Sequence, residues 1–329
     1  VTRILKKLGI NATIVEEQTT KDTEFSTVKV PNPEYKETLS MGIALANQIN
    51  ADVVFGTDPD SDRLGVALKN EEGEFVALSG NQVGILLLDY ILTRLSEDNA
   101  MPSNAAVVKS FVTTGMAKAL CDDYGVALYE TPVGFKFIGE KIKQWEKDNK
   151  HTYIFGFEES CGYLRGTHAR DKDAVEASMI ILEMTAYYKK LGMTLSDALA
   201  ELYKTYGFYA ERTVDIYMEG LDGIEKRKRV MQSLRDSSPA SIGGVSVATV
   251  GDYKSGRVVS LADGSVGTTG QPSSDVLYFT LVNGDKIIVR PSGTEPKIKI
   301  YILAHGDDQT ALEEKVAKYQ TDSKKMTEV

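Results

Sequence analysis

The sequence predicts an α/β protein: two αβα sandwich domains followed by a smaller α+β domain. Three observations lead there. Helical and strand-like segments alternate through the first two-thirds of the chain, the pattern of sheets with helices on both faces. Two strands in that stretch, Asp52–Phe55 and Tyr153–Phe157, run straight into charged loops, and ligands in such sheets sit beyond the strand ends. The last third changes to strands and hairpins with one charged and one closing helix. A length of 329 residues sets a prior of two to three domains. The expected boundaries are 1–100, 101–207 and 208–329.

Each element has a local reason. Ile4, Leu5 and Leu8 give Val1–Leu8 a helical face, ended by Gly9. Ala12–Val15 reads as a short strand and Gln18–Glu34 as a polar loop. Tyr35–Ile49 has helical periodicity. Leu64–Leu68 and Glu74–Leu78 flank a turn at Asn70–Gly73 and read as a hairpin. Gly80–Ser96 is a helix, and Glu97–Asn104 a linker. The second domain runs strand Ala105–Lys109, helix Gly115–Tyr124, strand Val126–Glu130, helix Phe137–Lys147, strand Tyr153–Phe157, then helices Ala174–Lys190 and Ser196–Tyr206. In the third, Glu211–Met218 is a strand and Gly223–Leu234 a helix. Gly243–Tyr253 and Val276–Val282 are strand-like, and the Asn283-Gly284 turn pairs the latter with Lys286–Arg290. Lys299–Ala304 is a strand and Gln309–Thr321 a helix.

Composition narrows the class. With 38 Lys+Arg against 47 Asp+Glu, the net charge of −9 leaves no basic excess for nucleic acid. Two cysteines, Cys121 and Cys161, exclude a disulfide framework and point to a reducing cytoplasm. No apolar run approaches ~18 residues, so no membrane partner is expected. The chain opens on Val1 and is helical in pattern at once, which predicts a start inside a larger protein.

Three loops carry chemistry. Asp58, Asp60 and Asp62 stand two apart after a strand and repel one another unless a counter-ion joins them. Oxygen-only ligands favour Mg²⁺ or Ca²⁺. An EF-hand is excluded, because its sixth and twelfth positions hold Arg63 and Lys69. A solvated acidic turn is the competing reading. Glu158, Glu159 and Ser160 can exchange hydrogen bonds with sugar hydroxyls, and Arg165, His168, Arg170 and Lys172 follow as a basic run. A sugar bearing an anionic group satisfies both, and a solvated charged loop is the alternative. Arg290-Pro291-Ser292-Gly293-Thr294 joins a guanidinium, two hydroxyls and a glycine, the parts of a phosphate cradle or of an ordinary turn.

In order and spacing, Thr57–Arg63, Thr131-Pro132-Val133-Gly134-Phe135-Lys136, Phe157–Gly162 and Arg290–Thr294 resemble the α-D-phosphohexomutases along the whole chain. The resemblance implies three αβα domains and a smaller fourth, and a transfer in two halves through a phosphoserine and a bisphosphate. Asp58, Asp60 and Asp62 would hold Mg²⁺, and Arg63 would sit beside the transferring phosphate. Glu158 and Ser160 would hold sugar hydroxyls, with Lys136 and His168 lining the cleft. Arg290, Ser292, Gly293 and Thr294 would grip the phosphate that is not reacting. Lys172 matches a lysine assigned as proton shuttle. The Gly-aromatic-Lys and Glu-Glu-Ser patterns, with Phe135 and Tyr163 where mannose-type members tend to carry His, resemble the glucose-preferring group.

One part of the family pattern is absent. No Ser-His pair or Ser-x-Asn-Pro string occurs, and Asn32-Pro33 matches a different family segment. The expectation is therefore a chain without the serine-bearing N-terminal domain, needed in cis. The parent would interconvert glucose 1-phosphate and glucose 6-phosphate, primed by glucose 1,6-bisphosphate, and the chain alone would be inactive. The rivals are a non-catalytic sugar-phosphate-binding pseudoenzyme, a phosphomannomutase, and a phosphatase with Asp58 as nucleophile.

Overall fold

In the computed structural model, which describes residues 1–293 and 295–328, the chain divides into two units, Val1–Tyr206 and Gly207–Val329. The first contains α1 (Thr2–Lys7), α2 (Ser40–Ile49), β1 (Val54–Thr57), β2 (Leu64–Lys69), β3 (Phe75–Ala77), α3 (Gly80–Glu97), β4 (Ala105–Ser110), α4 (Met116–Asp123), β5 (Ala127–Thr131), α5 (Phe135–Asp148), β6 (Thr152–Glu158), β7 (Gly162–Leu164), α6 (Ala174–Lys190) and α7 (Leu195–Tyr206). The second contains β8 (Phe208–Tyr217), α8 (Leu221–Asp236), β9 (Ser241–Ile242), β10 (Val245–Asp252), β11 (Arg257–Ser260), β12 (Val266–Thr268), β13 (Leu277–Leu281), β14 (Lys286–Pro291), β15 (Lys297–Gly306) and α9 (Gln309–Lys325).

The first unit holds two sheets. One is antiparallel in the order β1-β2-β3, the other runs β5-β4-β6-β7. In the second sheet β4 is parallel to β5 and β6, and β7 returns antiparallel to β6. The α2 helix covers one face of the first sheet through Ala46, Val54, Ala67 and Phe75. The α5 helix covers one face of the second through Phe135, Ile138, Ile142 and Trp145. The α3 helix packs on β6. It starts on a capping box formed by Ser79 and Gln82. Gly84 lets α3 reach the sheet, since a Cβ there would lie 2.2 Å from the Phe157 ring.

Among the segments that differ from the reading of the sequence, two lie near the start of the chain. Ala12–Val15 forms no strand. Ile14 is exposed, and an apolar run with no cross-strand neighbour gains nothing from extension. The helix expected over Tyr35–Ile49 begins only at Ser40, after a 3₁₀ turn at Lys36–Leu39. There the Thr38 and Ser40 hydroxyls donate to the carbonyls of Tyr35 and Glu37, a local bonding that competes with the α-helix.

In the second unit the sheet order is β12-β11-β10-β13-β14-β15-β8, with β9 on β10. Its core face, including Val214, Phe279, Val289 and Ile300, buries Val230 and Leu234 of α8 and Leu312, Val316 and Tyr319 of α9. Both helices lie on that face, which makes this an α+β unit. Among the described residues, no helix is long and apolar enough to cross a membrane.

Candidate active site

The loop after β1 folds around Asp58. Its Oδ1 accepts the backbone N–H groups of Asp62 and Arg63, both at 3.0 Å. Ser61, at φ 60°, closes the turn with its N–H on the Asp58 carbonyl at 3.1 Å. This geometry brings ligand oxygens of Asp58, Asp60 and Asp62 within 4.8 Å of one another. Arg63 sits against the cluster, with Nε 4.0 Å from Asp58 and 3.9 Å from Asp62, and reaches Glu34 at 3.4 Å.

The expected sugar loop is laced to it. Leu64 N–H donates to the Cys161 carbonyl at 3.0 Å, and Arg63 bridges Gly162. Ala174 N–H donates to the Ser61 carbonyl at 3.1 Å. Gly80 admits the sugar loop, since a Cβ there would lie 2.1 Å from the Glu159 carbonyl. Within the loop, Glu158 Oε1 accepts the Gly134 N–H at 2.6 Å. Glu159 accepts the Ser110 and Thr113 hydroxyls at 3.0 and 3.3 Å. Ser160 is half-buried beside them.

Lys172 joins both loops. Its Nζ lies 2.7 Å from Asp62 Oδ2 and 3.0 Å from Asp171, and its stem packs on Gly162. Lys136 stands exposed at the start of α5 with Nζ over the Phe137 ring. His168 is half-exposed and meets Asp173, the N-cap of α6, at 3.0 Å.

The electrostatics follow from this packing. Burial, helped by Asp62 and Asp60, lifts the Asp58 carboxyl to about 6 against the Arg63 N–H. Burial also opposes the charge on Asp62, but Lys172 and Arg63 outweigh it and hold that carboxyl below its ordinary value. Burial and then the Glu159 charge push Glu158 up to about 7, although the Gly134 N–H and Lys172 favour its ionised form. Asp62 Oδ1 is buried with no hydrogen-bond donor among the described residues. An unbonded carboxylate oxygen beside two more carboxylates fits the donor set that a hard divalent cation takes.

The third loop lies in the second unit, between β14 and β15. Arg290 is half-buried and makes no ion pair among the described residues. Ser292 N–H donates to the Lys297 carbonyl at 2.9 Å, and the Ser292 hydroxyl accepts the Glu295 N–H at 3.2 Å. That leaves the Ser292 O–H as a donor. Gly293 is exposed. Thr294 lies outside the described residues.

Three family descriptions cover these segments in order. Phosphoglucomutase/phosphomannomutase alpha/beta/alpha domain II matches residues 1–73, domain III matches 79–206, and the C-terminal domain matches 225–318. The chain belongs to the phosphoglucomutase/phosphomannomutase family. The phosphoglucomutase of Staphylococcus aureus (strain MRSA252) is 36% identical over 303 residues, 92% of this chain and 54% of its own length. That of Staphylococcus epidermidis (strain ATCC 12228) is 34% identical over 316 residues, 95% of this chain and 56% of its own. The chain thus spans about half the length of the curated relatives it matches. Among solved structures, a phosphoglucomutase/phosphomannomutase family protein from Burkholderia thailandensis shares the fold, with TM-score 0.65, 17% identity, and coverage of 99% of this chain and 57% of that one. Parafusin from Paramecium does so with TM-score 0.60, 18% identity, and coverage of 93% and 51%.

The family's mark in the sequence lies in the loop strings. What those strings cannot reveal is the support beneath them: Gly134 on Glu158, Ser110 and Thr113 on Glu159, and Glu34 on Arg63.

Proposed function

We propose that this chain is the metal-, sugar- and phosphate-binding portion of a phosphohexomutase that interconverts glucose 1-phosphate and glucose 6-phosphate. The parent acts through a phosphoserine and glucose 1,6-bisphosphate, with the serine-bearing domain in cis, and the chain alone does not turn over. The observation that carries this reading is the joining of the Asp58–Asp60–Asp62 cluster to the Glu158–Ser160 loop by the Arg63–Gly162 bridge and the Lys172–Asp62 pair.

Asp58, Asp60 and Asp62 would hold Mg²⁺, which supplies positive charge to the phosphoryl oxygens during transfer. Arg63, fixed by Glu34 and the aspartates, directs a guanidinium to the same phosphate. Glu158 and Ser160 accept and donate hydrogen bonds to the sugar hydroxyls, with Lys136 and His168 on the rim. Lys172 keeps a proton at Nζ, held by Asp62 and Asp171, and would serve as the proton shuttle for a substrate hydroxyl. Arg290, Ser292, Gly293 and Thr294 take the non-reacting phosphate. The sequence has no Ser-His pair or Ser-x-Asn-Pro string to take the serine's place as phosphoryl acceptor.

Calorimetry on the purified chain tests this. Glucose 1-phosphate should bind in an Mg²⁺-dependent manner and more tightly than mannose 1-phosphate. Mannose 1-phosphate binding the tighter would move the reading to phosphomannomutase. Binding of neither would remove the site assignment.

A further inference from the structure

Next to the Arg290 loop the second unit buries a charge. Lys297 is 2% exposed. Its Nζ lies 2.8 Å from Asp215 on β8, 2.9 Å from Glu295 within the loop, and 3.3 Å from the Tyr217 hydroxyl, over whose ring it sits at 5.0 Å. A buried lysine is tolerated only where its charge is compensated, and here two carboxylates from two elements converge on it. The carboxylates raise its pKa although burial works the other way.

The backbone around Lys297 closes the same loop. Its carbonyl accepts the Ser292 N–H at 2.9 Å, its N–H donates to the Glu295 carbonyl at 2.8 Å, and the Pro296 carbonyl accepts the Met218 N–H at 2.7 Å. The Lys297 ammonium therefore adds a side-chain clasp between the loop that follows Arg290 and β8, beside the backbone ladder that joins β15 to β8. The clasp also engages Glu295, which lies five residues from Arg290 and would otherwise be an open carboxylate competing for its guanidinium. Such a competitor weakens any anion site.

Resting on the phosphate-loop assignment above, we infer that Lys297 is a positioning residue: it pins Glu295 and Asp215 so that the loop presents Arg290 and Ser292 to a phosphate with no carboxylate in the way.

The test uses the full chain, Lys297→Met and Glu295→Gln, with two readouts. The first is hydrogen exchange at the Ser292, Glu295 and Met218 amides. Lys297→Met should lower their protection by about tenfold or more while Ile300 in β15 keeps its own. Glu295→Gln removes one exposed partner and should lower loop protection by a few-fold, which keeps the test open if Lys297→Met does not fold. The second is the dissociation constant for glucose 1-phosphate. Lys297→Met should weaken it about tenfold in the wild-type background and not further in Arg290→Ala, since both act through one grip. Additive losses, or loop amides unmoved in both variants, would overturn the inference. Loop amides that respond in the variants, together with a wild-type chain that binds neither glucose 1-phosphate nor inorganic phosphate, would overturn the phosphate assignment and leave the clasp standing.

Discussion

Replacing Glu158 by glutamine separates the cost of a buried charge from the value of a hydrogen bond. Glu158 is 4% exposed, and its carboxyl rises from 4.5 to about 7. The folded state thus holds this proton more tightly than the unfolded chain does, so stability falls as pH rises from 4.5 to about 7. At about 1.4 kcal/mol per pH unit, the full penalty above pH 7 is roughly 3 kcal/mol. A glutamine side chain at this position cannot ionise, yet it can still accept the Gly134 N–H that Glu158 Oε1 takes at 2.6 Å. Glu158→Gln should therefore gain under about 1 kcal/mol on the wild type at pH 5 and up to about 3 kcal/mol at pH 8. The protein's one tryptophan, Trp145, lies in the core cluster of α5 and reports on this unit. Its fluorescence in urea titrations at pH 5, 6, 7 and 8 gives the difference directly. With a slope of ~3 kcal/mol/M the midpoints should separate by about 1 M at pH 8. Curves that stay parallel from pH 5 to 8 would refute the reasoning, because Glu158 would then be ionised at no cost.

Asp62→Asn should weaken Mg²⁺ binding by about tenfold or more in calorimetry, since it neutralises the carboxylate with the orphaned oxygen. In the wild type, Mg²⁺ affinity should fall about tenfold per pH unit below about 6, where Asp58 takes up a proton that the ion must displace. Gly80→Ala should cost about 2 kcal/mol or more in urea unfolding, because its Cβ would fall 2.1 Å from the Glu159 carbonyl and 2.6 Å from the Cys161 nitrogen, neither a yielding side chain.

The sequence is most readable where a pattern is enforced locally. The β2–β3 hairpin follows from the Asn70–Gly73 turn, in which Gly73 takes φ 81°. The exits of β1 and β6 follow from apolar runs that stop at charged loops. Where long-range partners decide, local pattern misleads. Ala12–Val15 is apolar enough for a strand but finds no neighbour. The β11–β12 hairpin escapes notice because Val266 is exposed and its segment carries little apolar periodicity. The buried lysines Lys109 and Lys297 are invisible for a third reason. Lysine is almost always exposed, and only the fold reveals the carboxylates Glu130 and Asp215 that compensate them. Loop strings thus disclose the residues that would meet a ligand, and hide those that hold the loops in place.

A chain that binds the sugar phosphate and cannot transfer its phosphoryl group is the central claim. ³¹P NMR of the purified chain with Mg²⁺, glucose 1-phosphate and glucose 1,6-bisphosphate tests both halves at once. The expected result is Mg²⁺-dependent broadening or shift of the glucose 1-phosphate signal and no glucose 6-phosphate signal over time. Accumulation of glucose 6-phosphate above a protein-free blank, or a glucose 1-phosphate signal indifferent to the chain, would contradict it.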